Sequence, residues 1–148
     1  MLIAKFLHLL GLTIWVGGMF FAHLALRPTA AEVLQGPQRL QLMRGVFARF
    51  FPWVWLAVAL LLGSGLHMMA QIGKPPVYVS LMAVIGIVMM LIFAHIFFAP
   101  FKRLKRAVDV EEWSAAAPAL GQIRKLVGIN LCLGLLTLLI GSLGPLLH

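Results

Sequence analysis

The sequence predicts an all-α protein, an integral membrane bundle of four helices running alternately up and down. Three observations predict it. The chain of 148 residues is 62% hydrophobic and only 11% charged, with a mean hydropathy of +1.02, outside the range of soluble domains. Its apolar residues fall into four runs, Phe6–Leu26, Phe50–Ala70, Val77–Pro100 and Leu126–Leu147. Each is close to the ~20 residues that cross a hydrocarbon core of roughly 30 Å as a helix. The basic residues are confined almost entirely to two of the connections. The runs lack the alternation of a membrane barrel, and the whole chain, 1–148, reads as a single transmembrane domain.

The first span, Phe6–Leu26, is too long for the apolar region of a typical secretory signal and is read as a retained helix. In the connection that follows, Gly36-Pro37 is a helix start. Leu40, Met43 and Phe47 then recur at helical spacing, so the second helix is expected to begin before the membrane, with Pro52 kinking it near the interface. Gly73, Pro75 and Pro76 enforce a short turn between the second and third spans, which predicts antiparallel neighbours. The third connection, Lys102 to Lys125, reads as a surface-lying connector. Within it, Asp109 and Glu112 resemble a capping signal for a short helix limited by Pro118. Cys132 is the only cysteine and is expected to be a small packing residue within the fourth span.

The net charge of +8 has a topological explanation. Arg27, Arg39, Arg44 and Arg49 lie in the first connection, and Lys102, Arg103, Lys105, Arg106, Arg124 and Lys125 in the third. Lys5 and Lys74 alone lie on the other side. The positive-inside rule makes the basic face cytoplasmic and both termini periplasmic. Anionic lipid is the expected partner of this charge, and nucleic acid is excluded. No phosphate loop, nucleophile triad, metalloprotease motif or intramembrane carboxylate is present, which argues against hydrolysis and against an acidic proton relay.

Four histidines interrupt the spans, and an ionisable residue there is a site hypothesis by default. From span midpoints near residues 16, 60 and 88, His8 and His67 lie toward the outer face and His23 and His95 toward the inner. At ~1.5 Å per residue each is about 10–12 Å from the membrane centre, so the two levels are roughly 20 Å apart. His8 and His23 differ by about 60° around their helix and can both face the interior. Neutral imidazole ligates haem iron, and facing helices can supply two such ligands. The reading is therefore one or two haem b groups, held by His8 with His67 and by His23 with His95, in an electron-transfer protein. Arg27, Arg49 and Arg103 lie where an inner haem would place its carboxylates. Span-end histidines and arginines also serve plainly as interfacial anchors. Copper is the alternative, because Met19, Met43, Met68, Met69, Met82, Met89 and Met90 offer thioethers that suit Cu(I). Methionine is also an ordinary packing residue. Glycines along every span permit close helix approach or room for a flat macrocycle.

The run His8-Leu-Leu-Gly-Leu-Thr-Ile-Trp15-Val-Gly-Gly18-Met-Phe20 resembles the first helix of the copper-resistance D (CopD) family. Leu-Leu-Gly-Ser-Gly-Leu-His67, with Arg49 entering the same helix, is also similar. The four-span layout is similar to that of HemJ-type protoporphyrinogen oxidases, whose first-, second- and third-helix histidines match His8, His67 and His95. The stretch after Trp15 and the absence of a basic residue in the third span depart from the HemJ pattern and favour a CopD-like relative. The resemblance implies an inner-membrane protein with a metal or haem connection. The expected activity is that of a membrane oxidoreductase or a copper transport or resistance protein. A quinone, a porphyrinogen or a redox partner protein would exchange the electrons, and a homo-oligomer is left open.

Overall fold

In a computed structural model, described here for Met1–Leu147, helix accounts for nearly the whole chain. The elements are α1 (Leu2–Phe21), a π-helical turn (Ala22–Leu26), α2 (Arg27–Val33), α3 (Gly36–Ile72), α4 (Val77–Phe98), α5 (Pro100–Asp109) and α6 (Trp113–Leu147). Four continuous helical units result, Leu2–Val33, Gly36–Ile72, Val77–Asp109 and Trp113–Leu147, each long and apolar enough to cross a membrane. Helices satisfy their own backbone groups, which is what a medium without hydrogen-bonding solvent requires. The outward faces are correspondingly apolar: Leu66, Val84 and Leu91 are 60–66% exposed. A surface of this kind belongs in lipid, and the protein is a multi-pass membrane protein.

The helices run further than the apolar pattern marks. α3 begins at Gly36, with Gln35 extended before it and Pro37 in its first turn, as the Gly36-Pro37 start predicts. It continues unbroken through Pro52. The third connection differs from expectation. It is helical on both sides of a turn at 110–112, and Pro118 lies inside α6 rather than limiting a helix. The apolar positions explain this: Pro100, Phe101, Leu104, Ala107 and Val108 form one buried stripe on α5, and that stripe packs along α6. Lys102, Arg103 and Arg106 remain on its exposed side. At the other end of α3, Gly73 takes φ of 78°, a conformation open to glycine, and closes the turn into α4.

Packing is uneven. α1 lies closely against α3, and α4 against α6, while α3 and α4 approach each other sparsely despite their short turn. The two are antiparallel neighbours, as the short turn predicts, but large rings stand between their backbones. Phe51 meets Phe93 with ring centroids 5.3 Å apart, and Trp55 meets Phe93 at 4.9 Å and Phe97 at 5.4 Å. Trp15, buried at mid-span, completes the cluster edge-on to Phe93 at 6.1 Å. Against α6 the reverse holds. A Cβ on Gly134 would lie 2.8 Å from Val16 and 3.3 Å from Met89, and one on Gly141 would lie 3.0 Å from Met82. Gly17, Gly63 and Gly86 face open space and have no such role. Cys132, expected inside, is exposed on α6.

Close glycine packing of this kind is intolerant of added volume. Gly134→Leu should lower stability by about 1–3 kcal/mol, read as a fall in the unfolding temperature in detergent. Gly17→Ala should leave that temperature unchanged. Equal effects would show that the α6 glycines are not special.

Candidate functional site

The buried polar side chains locate the interior chemistry. Ser64, Asn130 and Thr137 are the buried polar residues among those described. Thr137 is answered within its own helix, by the carbonyls of Gly134 at 2.7 Å and Leu133 at 3.1 Å. Ser64 and Asn130 instead tie helices together.

Ser64 lies in the α1–α3 seam beside His8, whose Nδ1 is 3.0 Å from its hydroxyl oxygen. The single hydroxyl hydrogen is directed to the Leu60 carbonyl on its own helix. By that inventory His8 Nδ1 is the donor, and Nε2 of a neutral ring keeps its lone pair for another partner. Gly65 lies alongside, where a Cβ would stand 3.5 Å from His8 Cε1. The bond fixes both the ring orientation and the tautomer, as the outer partners of metal-binding histidines do.

Asn130, 1% exposed, donates from Nδ2 to the Met89 carbonyl at 3.1 Å and so ties α6 to α4. Its Oδ1 is buried without a hydrogen-bond partner. The amide borders a cavity of about 10 Å3 whose other walls include Trp15, Met19, Phe51 and Phe93, room for about one water molecule.

A second cavity, of about 20 Å3, lies toward the basic end and is bounded by His23, Arg27, Met43, Phe47, Leu120 and Arg124 among others. Ala22, Phe47 and Val127 border both cavities. His23 sits in the π-helical turn, and its ring lies against Gly128, where a Cβ would stand 3.1 Å from Cε1.

The four histidines do not share one direction. His8 and His23 turn into helix seams. His67 is exposed and accepts a hydrogen bond at 3.0 Å from Gln71, on its own helix. His95 is exposed on α4. Arg27 borders the second cavity, whereas Arg49 is exposed and reaches back to the Gly45 carbonyl at 3.4 Å. Arg103 is exposed and donates to Gln122 of α6. A cofactor pocket takes roughly 300–1,000 Å3, so neither cavity admits a porphyrin between the helices. The glycine clefts on α6 are filled by His23, Val16, Met89 and Met82. Nothing in this arrangement supports one or two haem b groups. Among the described residues, no three His, Cys, Asp or Glu side chains converge on a point that could hold a metal.

Sequence reasoning gave no role to Ser64 or Asn130, and it placed Gly128 only among the glycines that permit close helix approach. Asn130 carried a usable signal, since an amide in the middle of an apolar run needs an internal partner. Ser64 carried none beyond its place three residues before His67.

A four-helix multi-pass membrane protein with small polar seams and a basic end is the class these features define. The family model of CopD, copper resistance protein D, matches residues 44–143, about two-thirds of the chain and all of α4 and α5. The protein belongs to the CopD family. No curated protein and no solved structure matches the chain.

Loss of the Ser64 hydroxyl removes a partner of the His8 ring in the seam. Ser64→Ala should destabilise the protein by about 0.5–1.5 kcal/mol, measured by unfolding in detergent, with Ser64→Thr restoring most of it. An unchanged midpoint for Ser64→Ala would show that the bond does not form.

Proposed function

We propose that the protein handles copper(I) within the cytoplasmic membrane, as a transport or resistance protein, with copper as its cargo. Membership of a family described by copper resistance supports the reading, and the observation that carries it is the thioether lining of the interior. Met19, Met43 and Met89 are all buried, at 2–3% exposure, and Met82 is seated on Gly141. These sulfurs come from three helices, α1, α3 and α4, and span the depth between the seam of His8 and the cavity of His23. Thioether and imidazole are the soft and intermediate donors that suit Cu(I), which is content with few ligands. His8, with Nδ1 committed to Ser64, offers Nε2 as the donor at the end away from the basic residues. The positive-inside rule supports an orientation with the basic end in the cytoplasm and both termini outside.

Metal analysis of protein purified from copper-supplemented cells, with an absorption spectrum of the same sample, tests the reading. The expected result is bound copper with no porphyrin band. Met→Leu changes at positions 19, 43 and 89 together conserve volume and should lower copper retention severalfold with little change in folding. A porphyrin band without copper, or undiminished copper in that triple variant, would overturn the proposal.

A further inference from the structure

The cavity at the basic end has a chemistry that the copper reading does not use. His23, Arg27 and Arg124 all border it, and every charged side chain there is cationic. The chain has four acidic residues, Glu32, Asp109, Glu111 and Glu112, and none borders the cavity. Asp109 is engaged with Arg44 at 3.1 Å, the one ion pair among the described residues. Arg27 Nε is buried and has no hydrogen-bond partner. The Nε atoms of Arg39 and Arg44 share that condition but do not border the cavity. A buried guanidinium N–H left unpaired is costly, so its partner is expected to come from outside the chain.

The backbone is shaped around the same point. The π-helical turn Ala22–Leu26 contains His23 and leads directly into Arg27. Such turns are rare and concentrate where a side chain must be re-aimed for function. Gly128 on α6 lets the His23 ring settle against the helix, one turn beyond Arg124. Cavity, unpaired donor and re-aimed backbone therefore coincide.

We propose that the mouth of this cavity is a binding site for a phosphate-type oxyanion, with Arg27 and Arg124 as charged donors and His23 as a third polar contact. Guanidinium groups match phosphate oxygens in charge and geometry. The site opens where the apolar runs of α1 and α6 give way to basic sequence, which is headgroup level. A phospholipid whose phosphate is not offset by its own ammonium group fits that position, and free phosphate presents the same chemistry.

The full-length protein in a neutral detergent tests this, with phosphatidylglycerol compared with phosphatidylcholine, and sodium phosphate with sodium chloride at equal ionic strength. At saturation phosphatidylglycerol should raise the unfolding temperature by about 5 °C, and native mass spectrometry should show it retained. Arg27→Gln should abolish both effects, while Lys102→Gln, on the exposed side of α5, should keep them. Stabilisation by sodium phosphate and not by phosphatidylglycerol assigns the site to the free anion, still through Arg27. If Arg27→Gln does not fold, Arg124→Gln takes its place. Absence of any selective stabilisation, or equal losses in the Arg27 and Lys102 variants, would overturn the proposal.

Discussion

Close approach to the glycines of α6 organises this molecule. Gly128, Gly134, Gly141 and Gly144 receive, in order, His23, Val16 with Met89, Met82 and Tyr78. In lipid there is little hydrophobic gain in bringing apolar helices together, so association relies on dense contact and a few polar ties. Small residues on one partner and medium side chains on the other provide that contact. Asn130 adds a tie to the Met89 carbonyl on the face that carries Gly134, Gly141 and Gly144. Because both α1 and α4 settle on α6, the positions of His23 and of the buried sulfurs follow from where its glycines fall.

The opposite seam is built from the opposite material. Phe47, Phe51, Trp55, Phe93, Phe97 and Phe101 form a continuous set of ring contacts. Bulk here separates α3 from α4 and props the bundle open around the central cavity. Lys105 covers the outer edge of this cluster, with Nζ 4.8 Å from the Phe101 ring centre. The aromatic wedge and the glycine face together account for cavities that are small yet present: tight packing on one side, stiff rings that cannot collapse on the other.

Much of the fold was legible because membrane spans declare themselves by length and apolarity. The four runs, the start of α3 at Gly36-Pro37 and the turn at Gly73 all follow from local chemistry. The connection after α4 did not, because the short amphipathic stripe of Phe101, Leu104, Ala107 and Val108 lies among basic residues that dominate its composition. Histidine direction was only half readable from residue number. Helical phase relates His8 to His23 on one helix, but nothing in a single sequence fixes how α3 and α4 rotate about their own axes. That rotation leaves His67 and His95 exposed. Cys132 failed for the same reason, since an apolar run gives a weak indication of which side faces lipid. Arg27 was legible as a basic span-end residue, but its unpaired Nε was not, because partnerlessness is a property of three-dimensional surroundings.

His8 and His23 show how surroundings divide one residue type between two roles. His8 lies in a seam beside a hydroxyl already committed to its own helix, so by that inventory the ring donates from Nδ1 and Nε2 is left as a lone-pair donor suited to a soft cation. His23 lies with two guanidinium groups around one cavity, where a bare cation is repelled and an oxyanion is drawn in. Met43 borders that cavity too, so a soft donor and an anion-attracting wall stand side by side at the basic end. A copper ion leaving thioethers there would meet repulsion from Arg27 and Arg124, and a bound phosphate group would offset it. The two proposals are thus physically coupled at one place, although each rests on different atoms: sulfurs for the metal, guanidinium nitrogens for the anion.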